Sequence, residues 1–348
     1  MRFFDAHCDT IGKIRVRNGD FTAETGMHVT LPGLRQAGVC AQVFASWAWS
    51  GAYAGREFEV GLEMVNAVRA LCETHPDDLF LATTGRAAAG ACADGGRIAV
   101  IASLEGADPL MGNVDNLPVF HRAGVRLLTL AWGDNPFCGT VFGGRSGLTA
   151  KGFALVEACE ELGIMVDVSH VSDAAFSDVR SVASKPFIAS HSNCRSLCPN
   201  ERNLTDDMIR TLGHCGGVMG INLGSGFLSP EFYARAKAVR EEFFRSVNAG
   251  EKTFDEAGEI SSVALGRIPR PPLGLVVEHI RWAIAVGGED CVGLGGDLDG
   301  VDSTPLGLDG VADYPRIADL LEKSGLSHSQ VEKVCYGNFA RVFREVLG

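Results

Sequence analysis

Histidines and carboxylates follow several short apolar segments of this 348-residue chain, and their types suit metal chemistry. His7 and Asp9 are two residues apart, so in extended backbone their side chains point to the same side. Glu105, His170 and His191 each follow a later apolar segment. Such groups are ligands that Zn²⁺ or a similar divalent ion prefers. They exceed the three protein ligands of a single catalytic zinc and fit two ions roughly 3.5–4 Å apart, with the Glu105 carboxylate as the bridge.

The elements that position these residues are predicted from short apolar runs that alternate with helical patterns. The runs are continuous rather than alternating, which is typical of strands covered on both faces in a parallel sheet. Eight such strands alternating with helices predict an α/β fold, a (β/α)8 TIM barrel, with a doubly wound open sheet as the alternative. The predicted strands are Phe3–His7, Cys40–Ala45, Val100–Leu104, Val125–Leu130, Ile164–Val168, Phe187–Ser190, Gly217–Asn222 and Val292–Gly296, with an accessory strand at Leu79–Thr83.

Helical patterns fill the intervals between these strands. In Gly152–Leu162 the apolar side chains share one face, and Gly163 is placed to end the helix. Residues 224–273 lack a strand pattern, so we expect a partly helical excursion after the seventh strand, near the site. No repeat or linker divides the chain, which predicts one domain over residues 1–348. Further helices are predicted at Glu57–Leu71, Ser172–Val182, Val276–Ala285, Pro315–Glu322 and Asn338–Val346, and another is predicted after the N-cap Thr205.

The candidate ligands share one position in this fold, the carboxyl end of a strand. In a parallel barrel all these ends meet at one rim, where active sites are built. Taken singly, each residue has an ordinary structural explanation: a His-x-Asp pair can be a cap, a lone histidine can be a satisfied core residue, and Glu105 beside Gly106 can belong to a turn. Their common position favours the metal site.

Composition excludes several classes of protein. The chain is 46% apolar and 21% charged, as expected for a packed globular protein. Its formal net charge of −12 gives no electrostatic reason to bind nucleic acid or an anionic membrane. We expect no membrane span, secretory segment or lipid-anchor tail. The 11 cysteines lack framework spacing, which favours reduced thiols and a cytoplasmic location.

An ordered set of motifs resembles the membrane (renal) dipeptidase family, zinc peptidases on a TIM barrel related to the amidohydrolases. The resemblance runs from residue 5 to about residue 345. Its strings are His7-Cys8-Asp9, Ser103-Leu104-Glu105-Gly106, Gly124-Val125-Arg126-Leu127-Leu128-Thr129-Leu130, Asp167-Val168-Ser169-His170, Ser190-His191-Ser192, Glu201-Arg202-Asn203 and Gly295-Gly296-Asp297-Leu298-Asp299-Gly300.

The resemblance implies a role for each matching residue. It implies that Arg202 binds the free carboxylate of a dipeptide, for which a guanidinium fork is suited. It also implies that Asp297 is the acid/base residue and meets the substrate amine, while Asp299 supports the site. Family members are often dimers, which suggests a homodimer. The implied ligands of two zinc ions are His7, Asp9 and Glu105 for one, and Glu105, His170 and His191 for the other.

One position departs from the family pattern. Many relatives have a histidine after the fourth strand that polarises the scissile carbonyl, and here that residue is Trp132. An indole has one N–H and no titratable group. Stabilisation of the oxyanion must therefore depend on the metals or on another donor such as Asn135. This change bears on substrate range more than on metal binding.

The resulting hypothesis is hydrolysis of small dipeptides by a binuclear zinc enzyme. A water that bridges two Zn²⁺ ions has its pKa lowered from 15.7 to about 7, and Asp297 would take its proton and return it to the leaving amine. Two alternatives are another metallohydrolase on this barrel (amidase, lactonase or deaminase) and a non-catalytic protein that binds metal and dipeptide. A third, an NAD-linked oxidoreductase, needs a phosphate-binding loop after the first strand, and none is found.

Overall fold

The computed structural model describes residues 1–91 and 96–348, without the side chains of residues 16 and 17. The strands of this part form one sheet in the order β2-β1-β9-β8-β7-β6-β5-β4-β3, and β2 also pairs with β4. All the pairings between strands are parallel. The strands are β1 (Phe3–Cys8), β2 (Val39–Trp47), β3 (Leu79–Leu81), β4 (Ile98–Glu105), β5 (Val125–Thr129), β6 (Met165–Asp167), β7 (Ile188–Ala189), β8 (Val218–Ile221) and β9 (Val292–Leu294).

The β2–β4 pairing closes eight of these strands into a barrel and leaves β3 outside it, paired with the first half of β4. The predicted TIM barrel and its accessory strand are therefore confirmed, and the open-sheet alternative is wrong. The helices are α1 (Thr10–Arg17), α2 (Leu31–Ala37), α3 (Ser50–Tyr53), α4 (Glu57–Thr74), α5 (Gly85–Gly90), α6 (Leu117–Ala123), α7 (Ala150–Leu162), α8 (Asp173–Val182), α9 (Asp206–His214), α10 (Ser225–Leu228), α11 (Pro230–Asn248), α12 (Phe254–Leu265), α13 (Gly274–Gly287), α14 (Tyr314–Lys323), α15 (His328–Glu332) and α16 (Asn338–Leu347).

Local sequence signals explain where the outer helices begin and end. The Thr205 hydroxyl accepts a hydrogen bond from the Met208 N–H, which caps α9 as predicted. Ser172 caps α8 in the same way. Gly163 ends α7 in the left-handed conformation that a glycine adopts without steric cost. These caps fix the length of each helix and therefore the point at which the next strand begins.

Aromatic side chains close the end of the barrel opposite the candidate ligands. Phe4, on β1, is fully buried and packs against Phe339 and Phe343 of α16, with ring centroids 5.6 and 5.0 Å away. These rings belong to one buried cluster with inward-facing residues such as Leu127 and Ile188. The apolar plug leaves the carboxyl ends of the strands as the open mouth.

The predicted excursion follows β8, the seventh strand of the barrel. It contains α10, α11 and α12, and α13 then leads to β9. A small core of its own, made by residues such as Phe232 of α11 and Leu265 of α12, packs the two long helices together. No helix of the described ranges has the length and apolar character needed to cross a bilayer.

The cysteines only partly match the expectation of reduced thiols. In the described part, nine cysteines are free and eight of those are buried. Cys40, however, is disulfide-bonded, so the expectation is wrong at this position. Spacing along the chain cannot reveal such a pairing, because a disulfide requires two sulfur atoms close in space rather than in sequence.

His279 joins α13 to the loop that follows β7 and to α10. Its side chain is 1% exposed. The Nδ1 atom accepts a hydrogen bond from the Cys194 N–H at 3.1 Å, so the proton is on Nε2, which donates to the Leu228 carbonyl at 3.1 Å. The neutral ring is thus satisfied at both nitrogens, and burial lowers the pKa of His279 to about 4.

This buried histidine predicts a pH-dependent loss of stability. The pKa is about 4 in the folded chain and 6.5 in the unfolded one, so the unfolded chain binds more protons between these values. The contribution is complete above pH 6.5 and falls as the pH drops toward 4, by about 2 kcal/mol at pH 5. Urea unfolding at pH 7.5 and pH 5 should show that the free energy of unfolding falls less for His279→Gln than for wild type. His328→Gln, at an exposed position, is the control, and equal losses for wild type and His279→Gln would contradict the prediction.

Candidate metal centre

Residues from four strands meet at the open mouth of the barrel. His7 lies on β1, Glu105 is the last residue of β4, and His170 and His191 follow β6 and β7. The Glu105 Oε1 atom is 3.1 Å from His170 Nε2 and 3.7 Å from His191 Nε2. These three residues form one compact group of potential metal ligands. All three are buried.

A second group forms around the other oxygen of the same carboxylate. The Glu105 Oε2 atom is 3.6 Å from His7 Nε2, which is 3.5 Å from Asp9 Oδ2. His7, Asp9 and Glu105 therefore make a second compact group. Each oxygen of Glu105 faces a different group, which is the arrangement of a carboxylate that bridges two ions. The residues of the two ligand sets that the resemblance implies therefore lie close together, and His7, His191 and Asp297 form a third compact group.

Unpaired buried atoms indicate that these groups fit cations. His7 is fully buried, yet neither of its ring nitrogens has a hydrogen-bond partner in the described structure. Buried polar atoms are seldom left in this state. Zinc ligands bonded at 2.0–2.2 Å in a tetrahedron lie about 3.3–3.6 Å from one another. The separations of His7 Nε2 from Asp9 Oδ2 (3.5 Å) and from Glu105 Oε2 (3.6 Å), and of His191 Nε2 from Glu105 Oε1 (3.7 Å), are close to this value and too long for good hydrogen bonds. The separation of 3.1 Å between His170 Nε2 and Glu105 Oε1 is shorter and within hydrogen-bond distance.

The pKa shifts of the three histidines are a second observation about this centre. Burial, with a smaller effect from positive neighbours, holds the pKa of His170 and His191 well below the usual value, so both rings are neutral and able to bind a metal. At His7, burial lowers the pKa, but the negative charges of Glu105 and Asp9 outweigh it and raise the pKa well above normal. The carboxylates of Glu105 and Asp9 thus favour a positive charge at the position of His7.

A buried hydrogen-bond network orients His191. The Asp167 Oδ2 atom accepts hydrogen bonds from the Thr129 and Ser190 hydroxyls, both at 2.6 Å. Because Ser190 donates to Asp167, its oxygen accepts the proton of His191 Nδ1 at 2.7 Å. This leaves the lone pair of His191 Nε2 facing the centre, 2.9 Å from His170 Nε2 and 3.7 Å from Glu105 Oε1. Such outer partners fix the tautomer of a metal-binding histidine.

Asp297 lies beside the second group and is held in a strained backbone conformation. Its φ is 55°, and its backbone N–H donates to the His7 carbonyl at 3.1 Å. The Oδ2 atom accepts a hydrogen bond of 2.6 Å from the Asn222 amide, while Oδ1 is 3.9 Å from His7 Nε2. Burial and the nearby Asp9 raise the pKa of Asp297 well above its normal value. A carboxyl group in this state is suited to acid/base chemistry.

Arg202 is a buried cation at the edge of the site. Its side chain donates to the Ser192 hydroxyl at 2.6 Å and to the His191 carbonyl at 2.9 Å, and Nε is buried without a partner. Within the described residues no carboxylate lies within 4 Å of the guanidinium. Burial lowers the pKa of Arg202 to about 10. The carboxylates of Asp297, Asp167 and Glu105 attract the guanidinium from beyond ion-pair distance. A buried guanidinium without a direct ion pair is suited to binding an anionic ligand.

The remaining predicted residues occupy different positions. Trp132 is half-buried, with its ring centroid 6.0 Å from that of His170. The side chain of Asn135 is engaged within its own loop: it donates to the Leu130 carbonyl and accepts from two backbone N–H groups. Its role as a substrate donor remains a prediction. Asp299 accepts hydrogen bonds from Thr10, and from the His28 and Val29 N–H groups, and so holds the loop that carries Asp297.

Sequence reasoning missed several residues that support the site. Asn222 follows β8 and contacts Asp297, and it ends an apolar run in the same way as the predicted ligands. Its position at the end of an apolar run could have identified Asn222 from the sequence. The supporting role of Asp167 and Ser190 had no such signal, because it depends on hydrogen bonds between neighbouring strands.

This combination of fold and site defines a class of protein. A closed parallel barrel with nitrogen and oxygen ligands for metal at its carboxyl-end mouth, beside a carboxyl group of raised pKa, is typical of metal-dependent hydrolases. The model of the membrane dipeptidase family (peptidase family M19) matches residues 1–347. The chain therefore belongs to this family and is a metal-dependent hydrolase that acts on peptide bonds. The predicted family and class of enzyme are confirmed.

Individual relatives agree with this assignment. An uncharacterised protein of Klebsiella pneumoniae from the pqqA 5′ region is 33% identical over 263 residues, which are 73% of this chain and 84% of the relative. An uncharacterised dipeptidase of Schizosaccharomyces pombe is 28% identical over 99% of this chain and 80% of its own length. A crystal structure of a Rhodobacter sphaeroides metallopeptidase, liganded with a phosphinate mimic of L-Ala-D-Ala, has a TM-score of 0.83 at 23% identity and 99% coverage of both chains. This structural likeness supports the fold.

The network around Asp167 predicts a change in metal affinity. Asp167→Asn replaces one carboxylate oxygen by an NH₂ group, which cannot accept the hydrogen bonds made to that oxygen. The affinity for Zn²⁺ should fall about 10- to 100-fold, as measured by competition with a chromophoric chelator. The control is Asp207→Asn, which changes a carboxylate that is 93% exposed on α9. Equal zinc affinity in wild type and Asp167→Asn would show that the network does not orient His191.

Proposed function

We propose that this protein is a binuclear zinc dipeptidase. The observation that carries the proposal is the position of Glu105, whose two oxygens face two separate groups of potential ligands. His7 and Asp9 would hold one ion with Glu105, and His170 and His191 would hold the other. Two bound Zn²⁺ ions would supply a hydroxide nucleophile at neutral pH and polarise the scissile carbonyl.

The surrounding residues fit a substrate with two charged ends. Arg202 offers a buried guanidinium to the free carboxylate of the substrate. Asp297, on the loop after β9 and two strands along the barrel from β7, offers a carboxylate to the free amine. A longer peptide would place an uncharged amide against one of these groups and leave a buried charge unpaired. This arrangement restricts the substrate to dipeptides.

Asp297 is also suited to move a proton during the reaction. Its raised pKa makes proton transfer at neutral pH favourable, and the Asn222 amide fixes one carboxylate oxygen. We propose that Asp297 accepts a proton from the attacking water and returns it to the leaving amine. Trp132 has no titratable group and takes no part in this transfer. The cytoplasmic location and the homodimer remain predictions.

The proposal predicts zinc-dependent cleavage of dipeptides. After removal of metal by a chelator and addition of Zn²⁺, metal analysis should give two zinc ions per chain. The zinc-loaded protein should hydrolyse members of a panel that contains L,L and L,D dipeptides, and His170→Ala should abolish this activity. Absence of cleavage across the panel would overturn the proposal. Cleavage of cyclic amides or lactones alone would indicate another metallohydrolase, and dipeptide binding without cleavage would indicate a binding protein.

A second prediction concerns the recognition of the carboxylate. Arg202→Met should lower kcat/KM for dipeptides by about 100-fold or more, mainly through KM, because the buried carboxylate loses its charged partner. Dipeptide amides, which lack this carboxylate, should be poor substrates of wild type. Their kcat/KM should be only slightly lower in Arg202→Met. Zinc content should not change. The control is Arg210→Met, at a half-exposed position on α9. An equal fall in kcat/KM for dipeptides and for their amides would contradict this role for Arg202.

A further inference from the structure

A cluster of aromatic rings stands on one side of the barrel mouth, and we call it the aromatic wall. It consists of Trp47 and Trp49 near the end of β2, Trp132 after β5, Phe244 of α11 and Phe254 of α12. Ring centroids are 5.1 Å apart for Trp47 and Trp132, 5.1 Å for Trp49 and Trp132, and 4.8 Å for Trp47 and Phe254. The excursion after β8 therefore contributes two of the five rings, directly over the mouth.

The aromatic wall borders the candidate metal ligands. Trp47 is paired in register with Glu105, so both side chains point to the same side of the sheet at the rim. The Trp132 ring is 6.0 Å from the ring of His170. Phe142, which is 43% exposed, stacks on Phe244 at 5.6 Å and lies 6.1 Å from His170. The apolar surface thus begins next to the reacting centre and continues outward to the solvent.

The burial of these rings distinguishes them from structural aromatics. All five rings of the wall are half-buried. Aromatic residues that only pack the core of this protein, such as Phe120 and Phe137, are fully buried. Partly open aromatic rings beside an active site are typical of a pocket that binds an apolar group.

The strand order places the aromatic wall opposite the group that binds the carboxylate. Around the closed barrel the order is β1-β2-β4-β5-β6-β7-β8-β9, so β2 lies diametrically across from β7. Trp47 ends β2, whereas Arg202 is hydrogen-bonded to the residues that follow β7. A dipeptide held by its carboxylate at Arg202, with its peptide bond over the central Glu105, extends its N-terminal residue toward Trp47.

We propose that the aromatic wall binds the side chain of the N-terminal residue of the substrate and selects dipeptides in which this residue is aromatic or large and aliphatic. The inference rests on the proposed dipeptidase function and deepens it. The Trp132 ring extends the apolar surface up to His170, 6.0 Å away. With the amine directed to Asp297, on the loop after β9 and across the barrel from β5, the side chain is left to face the wall.

Hydrolysis of matched dipeptides tests this specificity. With the C-terminal alanine held constant, kcat/KM of the zinc-loaded wild type should be at least about tenfold higher for Phe-Ala and Leu-Ala than for Gly-Ala. Phe244→Ala should lower kcat/KM for Phe-Ala about tenfold and that for Gly-Ala less than threefold, with an unchanged melting temperature. The control is Trp282→Phe, at a position 37% exposed on α13.

Binding of the N-terminal product gives a readout independent of turnover. Three of the four tryptophans belong to the aromatic wall, so L-phenylalanine should change the tryptophan emission at lower concentration than glycine does. Trp282→Phe should retain this response, and Phe244→Ala should weaken it.

The outcomes separate this inference from the proposed function. If no dipeptide is cleaved, the proposed function fails. If dipeptides are cleaved but Phe-Ala and Gly-Ala react equally, the inference about the wall is overturned and the function is retained. A preference for Ala-Phe over Phe-Ala also overturns it. So does an equal fall in kcat/KM for Phe-Ala and Gly-Ala in Phe244→Ala.

Discussion

The arrangement of the site depends on one buried carboxylate. Glu105 directs one oxygen to His170 and His191 and the other to His7, so residues from four strands share a single acidic group. Placing carboxylates and histidines in a buried position without ions is costly, because unpaired charges and unsatisfied ring nitrogens lose their water. Bound cations would offset this cost, and their binding would then stabilise the folded chain.

Apolar packing at the other end of the barrel offsets the free-energy cost of this concentration of polar groups. Phe4 and the α16 residues Phe339 and Phe343 plug the opposite end, and continuous apolar strands are buried on both faces. The strained backbone of His170 and Asp297, both at positive φ, is held by hydrogen bonds from neighbouring strands and loops. Strain of this kind persists where the surrounding structure fixes the backbone, as it does at functional sites.

The excursion after β8 adds aromatic side chains to the mouth of the barrel. The candidate metal ligands come from strand ends, while Phe244 and Phe254 come from helices of the excursion that pack against Trp132. Trp132 contacts both sets, since its ring lies near His170 and near the two phenylalanines. Loops and insertions vary more freely than barrel strands, so such segments can set the range of substrates while the strands preserve the chemistry.

The sequence by itself determined the strands, the barrel and the candidate ligands, because apolar runs that must be covered on both faces allow few parallel arrangements. His7, Asp9, Glu105, His170 and His191 were found because each follows such a run. Only the tertiary structure decided which oxygen of Glu105 faces which histidine, that Ser190 links Asp167 to His191, that Cys40 is disulfide-bonded, and that the excursion adds aromatic rings to Trp132. The physical reason is distance: these contacts join residues far apart in the chain, and their geometry depends on strand register and helix packing, which no local pattern encodes.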